Sequence, residues 1–307
     1  MTTQLSTTNR ASYTQIQPIM NMVLDTISER SKRDYGRALN DFLVWYQQSD
    51  QSTLNKATVN AHISALKDRG VTDSSINQRL AAIRKLALEA ADNSLIDEAT
   101  AQAIKRVGNI KRQGKKLGNW LSKEQAQAML NAPDTDTIKG VRDRAILALM
   151  IGCGLRRQEV ATLTIEHLQQ REGRWVILDL EGKHGRVRTV PMASWVKSIT
   201  DVWIKEAGLT SGYLFLPMRK GNRIYEGPMT SQAVWDIVEK YAPVEKLAPH
   251  DLRRTFAKLA HKAGSPIEQI QKSLGHASIQ TTESYIGVDL DLKQAPSDMI
   301  RLDVERH

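Results

Sequence analysis

The stretch Leu274-Gly275-His276-Ala277-Ser278-Ile279-Gln280-Thr281-Thr282-Glu283-Ser284-Tyr285 reads as two helices separated by a sharp break. Gly275 ends the first, because glycine enters left-handed backbone without a steric penalty. His276 lies at the break. Ser278 or Thr281 can cap the second helix, whose exposed face then carries Tyr285. A tyrosine in such a place is ordinarily a half-buried packing residue, so its meaning depends on what the rest of the chain brings to it.

Three further segments bring cations or donors to sharp turns. Gly154-Leu155-Arg156-Arg157-Gln158-Glu159-Val160 puts glycine just before a helix start, where backbone and macrodipole favour anions. Arg156 can grip a phosphate there with its planar fork, and Glu159, one turn on, can orient an arginine. Alone, the segment is an ordinary helix cap with surface charge. Gly182-Lys183-His184-Gly185-Arg186-Val187-Arg188-Thr189-Val190-Pro191 has hairpin chemistry. Lys183 at its tip can reach a neighbouring cleft as a general acid, although an exposed edge lysine is the default. In His250-Asp251-Leu252-Arg253-Arg254-Thr255-Phe256, His250 and Arg253 share a helix face, so they can hold a phosphate and manage a proton together. Alone, they read as a helix-start histidine and a salt-bridged arginine.

Taken together and in this order, the four segments resemble the tyrosine recombinase family, the phage integrases and Xer-type recombinases. The shared pattern is Gly-Leu-Arg with a following Glu, Gly-Lys in a hairpin ending in Val-Pro, His-x-Leu-Arg-x-Thr-Phe, and Leu-Gly-His with a tyrosine nine residues later. The resemblance implies that Arg156 and Arg253 bind non-bridging oxygens of a scissile DNA phosphate and that Lys183 protonates the leaving 5′-oxygen. It implies that His250 assists proton transfer at the tyrosine and that His276 hydrogen-bonds the phosphate. Tyr285 would be the nucleophile, leaving a 3′-phosphotyrosyl link, and Glu159 would support the arginine from behind.

The chemistry is consistent with those roles. Cleavage builds negative charge on the non-bridging oxygens, and losing one fixed donor to such an oxyanion typically costs about a hundredfold to a thousandfold in rate. A phenol with pKa about 10 is a poor nucleophile at neutral pH and needs cations and a base around it. The covalent link conserves the phosphoester, so rejoining needs no cofactor, ATP or metal. Arg157 and Gln158 depart from the usual apolar-then-small pair, Arg254 stands where many relatives carry histidine, and His184 fills a position that is often glycine. These departures are expected to be specificity or surface changes.

Ahead of these segments the pattern is helical. Ile19, Met22, Val23 and Ile27 form one stripe, and Tyr35, Leu39, Phe42, Leu43 and Tyr46 a second. Val59, His62, Ile63 and Leu66 form a third, with His62 read as a core histidine, and Ile76, Leu80, Ile83, Leu86 and Ala90 a fourth. A basic stretch follows with Lys105, Arg106, Lys111, Arg112, Lys115 and Lys116, spaced by glycines, that reads as a linker crossing DNA. After it, Ser122 and Gln125 form a capping-box pattern. Trp175–Leu180 reads as a strand with Val176, Leu178 and Leu180 on one face, returning through Val187, Thr189 and Val190.

The expected organisation is a tail at 1–17, a helical SAM-like core-DNA-binding domain at 18–107, a basic linker at 108–120 and a catalytic domain at 121–307. The expected fold is α+β, mainly helical, with one small antiparallel sheet in the second domain. The two domains would clamp duplex DNA at specific core sites, and the resemblance implies a homotetramer on two paired sites. The apolar residues Leu290, Leu292, Met299, Ile300 and Leu302 can dock on a neighbouring protomer or on their own domain.

Composition sets the outer limits. The 307 residues carry a formal net charge of +9, which favours a polyanionic partner through counterion release. Cys153 is the single cysteine, so there is neither an intrachain disulfide nor a cysteine zinc cluster. No uninterrupted apolar run reaches spanning length and the N-terminus lacks secretory features, so the protein is expected to be cytoplasmic, with no membrane partner. Asp134 with Asp136, or Asp289 with Asp291, can in principle bind magnesium but read as turn residues or caps. Tyr241 is the rival nucleophile, with no histidine just before it. Two other classes use similar residues: a DNA-binding module that has lost catalysis, and a type IB topoisomerase-like relaxase that pairs no sites. A denaturant-resistant DNA adduct separates the first, and sequence-independent plasmid relaxation marks the second.

Overall fold

The computed structural model describes residues 13–49, 51, 53–111, 119–181, 187–219 and 223–287. The chain divides into two compact units, Met1–Lys115 and Lys116–His307, a division that falls within the basic stretch. The fold is mainly helical, with an N-terminal unit of helices and a C-terminal unit of helices that holds a small antiparallel sheet.

The first unit is all-helical among its described residues: α1 (Tyr13–Asp25), α2 (Glu29–Gln48), α3 (Lys56–Asp68), α4 (Asp73–Asp92) and α5 (Glu98–Lys105). α4 is the hub and packs on the other four. Its Ile76, Leu80, Ile83, Leu86 and Ala90 supply the buried stripe, and Ala82 and Ala87 widen it so that helices approach from more than one side. Side chains start three of the helices: Asn55 accepts from Ala57 and Thr58, Thr72 from Ser75, and Asp97 from Thr100.

Three expectations change here. α1 begins at Tyr13 and buries Ile16, so residues 13–17 are helix rather than tail; the apolar spacing of Ile16 with Ile19 and Val23 explains why. The eight-residue α5 has only Ala101 and Ile104 buried, too weak a stripe to read from sequence. It makes Lys105 its last residue and Arg106 its cap. The start of the linker is pinned to α4, because the Asn77 side chain exchanges two hydrogen bonds with the Ile110 backbone, 2.8 and 3.1 Å, and Arg84 bonds Asn109 at 2.9 Å. Lys105, Arg106 and Lys111 are exposed, whereas Arg112, Lys115 and Lys116 lie outside the described residues.

In the second unit, α6 (Lys123–Asn131) opens on the Ser122–Gln125 capping box. α7 (Ile138–Gly152) is the buried centre, covered by α6, α8 (Arg157–Thr162), α9 (Ser194–Glu206), α10 (Ser231–Lys240) and α11 (Pro249–Lys262). The sheet runs β1 (Leu168–Arg171), β2 (Arg174–Glu181), β3 (Val187–Pro191), antiparallel throughout, with β1 an addition to the expected hairpin. A two-stranded ribbon, β4 (Met218–Arg219) and β5 (Arg223–Ile224), precedes α10. The expected alternation along β2 is broken. Pairing shifts between Ile177 and Leu180, where Asp179 takes φ +52°, so Val176, Ile177 and Leu180 are buried while Leu178 is only half-buried. The chain closes with α12 (Ile267–Leu274) and α13 (Ile279–Ile286), which pack on each other and on α11. Among the described residues no helix is long and apolar enough to cross a membrane.

Candidate active site

The site is assembled at four chain breaks. At the first, Gly154 takes φ +62°, and a Cβ there would meet the Phe256 ring at 2.7 Å, so only glycine lets α11 close on this turn. Arg156 follows as the N-cap of α8, and the Glu159 carboxylate accepts from its backbone N–H at 2.8 Å and from its Nη1 at 2.6 Å. At the second, Pro249 opens α11 and the Asp251 carboxylate accepts from the Ala248 N–H at 2.9 Å. This fixes the helix start that carries His250. At the third, Gly275 ends α12 in left-handed backbone, φ +64°, and delivers His276. At the fourth, Ser278 caps α13 by accepting from Gln280, which leaves Tyr285 on the last turn.

Tyr285, half-buried, shares a hydrogen bond between its hydroxyl and His250 Nε2. The His250 ring stands edge-on to it at 5.3 Å and the His276 ring at 4.8 Å, centroid to centroid. His276 Nδ1 is bonded to the buried Thr282 hydroxyl at 2.9 Å. Arg156, Glu159, His250, Arg253, His276 and Tyr285 therefore lie in one locality. Lys183 lies outside the described residues.

The two expected phosphate arginines differ. Arg156 leaves 30% of its side chain exposed. Arg253 is fully buried, donating from Nη1 to the Gly154 carbonyl at 2.7 Å and from Nη2 to the Leu274 carbonyl, while its Nε has no hydrogen-bond partner among the described residues. Arg253 thus ties the Gly154 turn to the end of α12. Burial, first, and then the charge of Arg156 push it down to about 9.

Three residues were not assigned roles by sequence. Arg188, on β3, meets Glu159 fork to fork at 2.9 and 2.8 Å and donates from Nε to the Ser273 carbonyl at 2.9 Å. Arg254 is no surface change: its guanidinium lies 5.4 Å from the centroid of the Tyr285 ring and is held by Asp251 at 2.7 Å. Thr282 orients His276. The Arg188 and Arg254 contacts lie across the fold, and only Glu159's position one turn after Arg156 hinted that an arginine would need orienting.

The guanidiniums set the electrostatics. His250 is pushed down to about 4, by desolvation and then by Arg254, Arg253 and Arg156, with Asp251 opposing. The residue keeps surface exposure while its Nε2 faces the Tyr285 hydroxyl. His276 is pushed down to about 3 by desolvation, Arg253, Arg156, His250 and Arg188. Burial would raise the Glu159 carboxyl, but Arg188 and then Arg156 hold it below the ordinary carboxylate range. The result is two neutral imidazoles beside a phenol in a strongly positive pocket.

The competing candidates fall elsewhere. The Tyr241 hydroxyl donates to the buried Asp143 carboxylate at 3.1 Å and accepts from Lys240 at 2.7 Å. Asp143 is itself paired with buried Arg142 at 2.7 Å, so Tyr241 belongs to a packed polar cluster. Asp134 shapes the turn into α7 by accepting from Asp136 at 3.0 Å, and Asp289 and Asp291 lie outside the described residues. Among the described residues no three His, Cys, Asp or Glu side chains gather as a metal site.

A model of the phage integrase family matches residues 119–290, and one of the phage integrase N-terminal SAM-like domain matches residues 23–92. The chain is similar to the tyrosine recombinase XerD of Vibrio cholerae serotype O1, 28% identical over 298 residues that cover 91% of this chain and 94% of that protein. Its fold is similar to that of the XerH site-specific recombinase bound to palindromic difH substrate after cleavage, with TM-score 0.70 and 21% identity over 90% of this chain and 81% of that one. It is also similar to the Tn1549 transposon integrase in complex with circular intermediate DNA, with TM-score 0.67 and 18% identity over 93% and 99% of the two chains. The first family model alone spans more than half of the sequence, and the chain belongs to the phage integrase family, the tyrosine-type site-specific recombinases that cleave and rejoin DNA.

Proposed function

We propose that this chain cuts DNA by attack of the Tyr285 hydroxyl on a backbone phosphorus, forming a 3′-phosphotyrosyl bond. The observation that carries this reading is the Tyr285–His250 hydrogen bond inside a ring of guanidiniums. The phenol O–P bond forms as the bond to the 5′-oxygen breaks. The phenol proton passes to neutral His250, and Lys183 supplies the proton taken up by the leaving 5′-oxygen. Arg156 binds a non-bridging oxygen through its exposed face. Arg253 adds buried positive charge and an Nε–H without a partner among the described residues, which an arriving anion would help to compensate. With Thr282 donating to Nδ1, His276 carries its proton on Nε2 and donates to the phosphate.

Reversal by a free 5′-hydroxyl from another strand rejoins the DNA with one ester exchanged for another, which is why no cofactor enters. Exchanging two duplexes needs four strand cleavages, and each chain gathers its described catalytic groups around its own tyrosine, so we propose a homotetramer on paired core sites acting in the cytoplasm. The helical unit, about 13–107, and the basic segment to 120 contribute phosphate contacts through Lys105, Arg106, Lys111, Arg112, Lys115 and Lys116. The catalytic unit runs from 121.

The test is incubation with a random-sequence library of nicked duplexes, followed by a denaturing gel. A covalent adduct that is lost in Tyr285→Phe supports the proposal. Binding without any adduct points instead to a DNA-binding module, and relaxation of supercoiled plasmid regardless of sequence points to a relaxase.

A further inference from the structure

Arg188 leaves β3 and is nearly buried, with 8% of its side chain exposed. Its three nitrogens are used in two directions. Both Nη atoms face the Glu159 carboxylate, which also takes the backbone N–H and Nη1 of Arg156, so four donors meet the two oxygens. Its Nε faces the Ser273 carbonyl at the end of α12, where unpaired carbonyls attract cations. The next carbonyl, Leu274, takes Arg253. The Arg188 side chain also lies against Gly275, where an added Cβ would come 2.8 Å from its Cδ. One side chain thus touches the support of Arg156 and the break that presents His276, from the strand that follows Lys183 in the sequence.

We propose that Arg188 is a positioning residue for strand cleavage: through Glu159 it aims Arg156, and through the Ser273 carbonyl it fixes the break that presents His276. The proposal rests on the phosphoryl-transfer reading above. Among the described residues, Arg188 hydrogen-bonds Glu159 and Ser273 and none of the proposed reacting groups. Its planar fork is required because one cation must meet a carboxylate edge and a backbone carbonyl at once, which a lysine point charge cannot do.

The experiment compares the full chain with Arg188→Lys, which keeps the charge beside buried Glu159, and with Arg188→Lys/Glu159→Gln. The first readout needs no DNA: backbone hydrogen exchange at Gly275 and His276 should rise about tenfold in Arg188→Lys while α7 amides are unchanged. The second uses the nicked duplex on which the wild-type chain forms its adduct. Adduct formation should fall about a hundredfold with duplex affinity held within about threefold, and the double variant should be no slower than Arg188→Lys. Unchanged exchange at the break, wild-type adduct formation, or a parallel fall in binding and cleavage would overturn the assignment. If the wild-type chain forms no adduct, the phosphoryl-transfer reading fails, and the exchange data alone still decide whether Arg188 clamps the break.

Discussion

The hydroxyl of Tyr285 and Nε2 of His250, on α13 and α11, share a hydrogen bond, and desolvation first, then the cations Arg254, Arg253 and Arg156, push the imidazole toward its neutral form. A neutral ring can accept the phenol proton, whereas an imidazolium cannot. The pairing is therefore a statement about protonation as well as position.

It fixes a titration. The His250 value of about 4 lies below that of an ordinary histidine, so lowering the pH from 8 to 5 should leave the ring unprotonated in the free enzyme. Its ring proton shifts, assigned by their loss in His250→Gln, are expected to stay flat over that range. A midpoint near 6.5 would contradict the electrostatics described.

Arg254 should matter to the nucleophile. Its contact with the Tyr285 ring belongs to a class worth about 0.5–2 kcal/mol, so Arg254→Ala should slow single-turnover adduct formation about threefold to thirtyfold. Duplex affinity should change less. An unaltered rate would return Arg254 to the specificity or surface changes among which sequence alone places it.

What sequence reveals here is what short segments encode. Gly154 before Arg156, the three-residue step from His250 to Arg253, and Gly275 before His276 are local geometries, and they are legible because a helix start or stop fixes them. Arg188 is different: its partner Ser273 lies 85 positions away, and whether an arginine on a strand points to solvent or to a buried glutamate depends on the packing of α12. The depth of Arg253 is hidden for the same reason, since its burial comes from the closure of α11 on Gly154. β1 and the Asp179 bulge escape because a pattern of alternation cannot register one inserted residue.

His62 tests the helical unit. It is fully buried between Phe42 and Trp45, neither ring nitrogen has a hydrogen-bond partner among the described residues, and burial pushes it down to about 4. Because the folded value is depressed, the unfolded chain takes up a proton below about pH 6.5 that the fold refuses, so stability present above that pH is lost toward pH 4. His62→Leu should remove about 2 kcal/mol of the loss between pH 7.5 and 5, measured by urea unfolding. An equal acid loss in both proteins would contradict this.

The exposed cations at the end of the helical unit make a salt prediction. Lys111→Ala should weaken duplex binding across sequences and reduce the slope of log affinity against log salt by about 0.9 per lost phosphate contact. The same holds for Lys115→Ala. Fluorescence anisotropy over a salt series measures it, and an unchanged slope removes that residue from the interface.

The most direct measurement is to digest the purified protein–DNA adduct and find by mass spectrometry which side chain carries the nucleotide. A 3′-linked phosphoryl group is expected on the hydroxyl of Tyr285, within the peptide that begins after Lys272. Linkage to Tyr241, or to any serine or histidine, would contradict it.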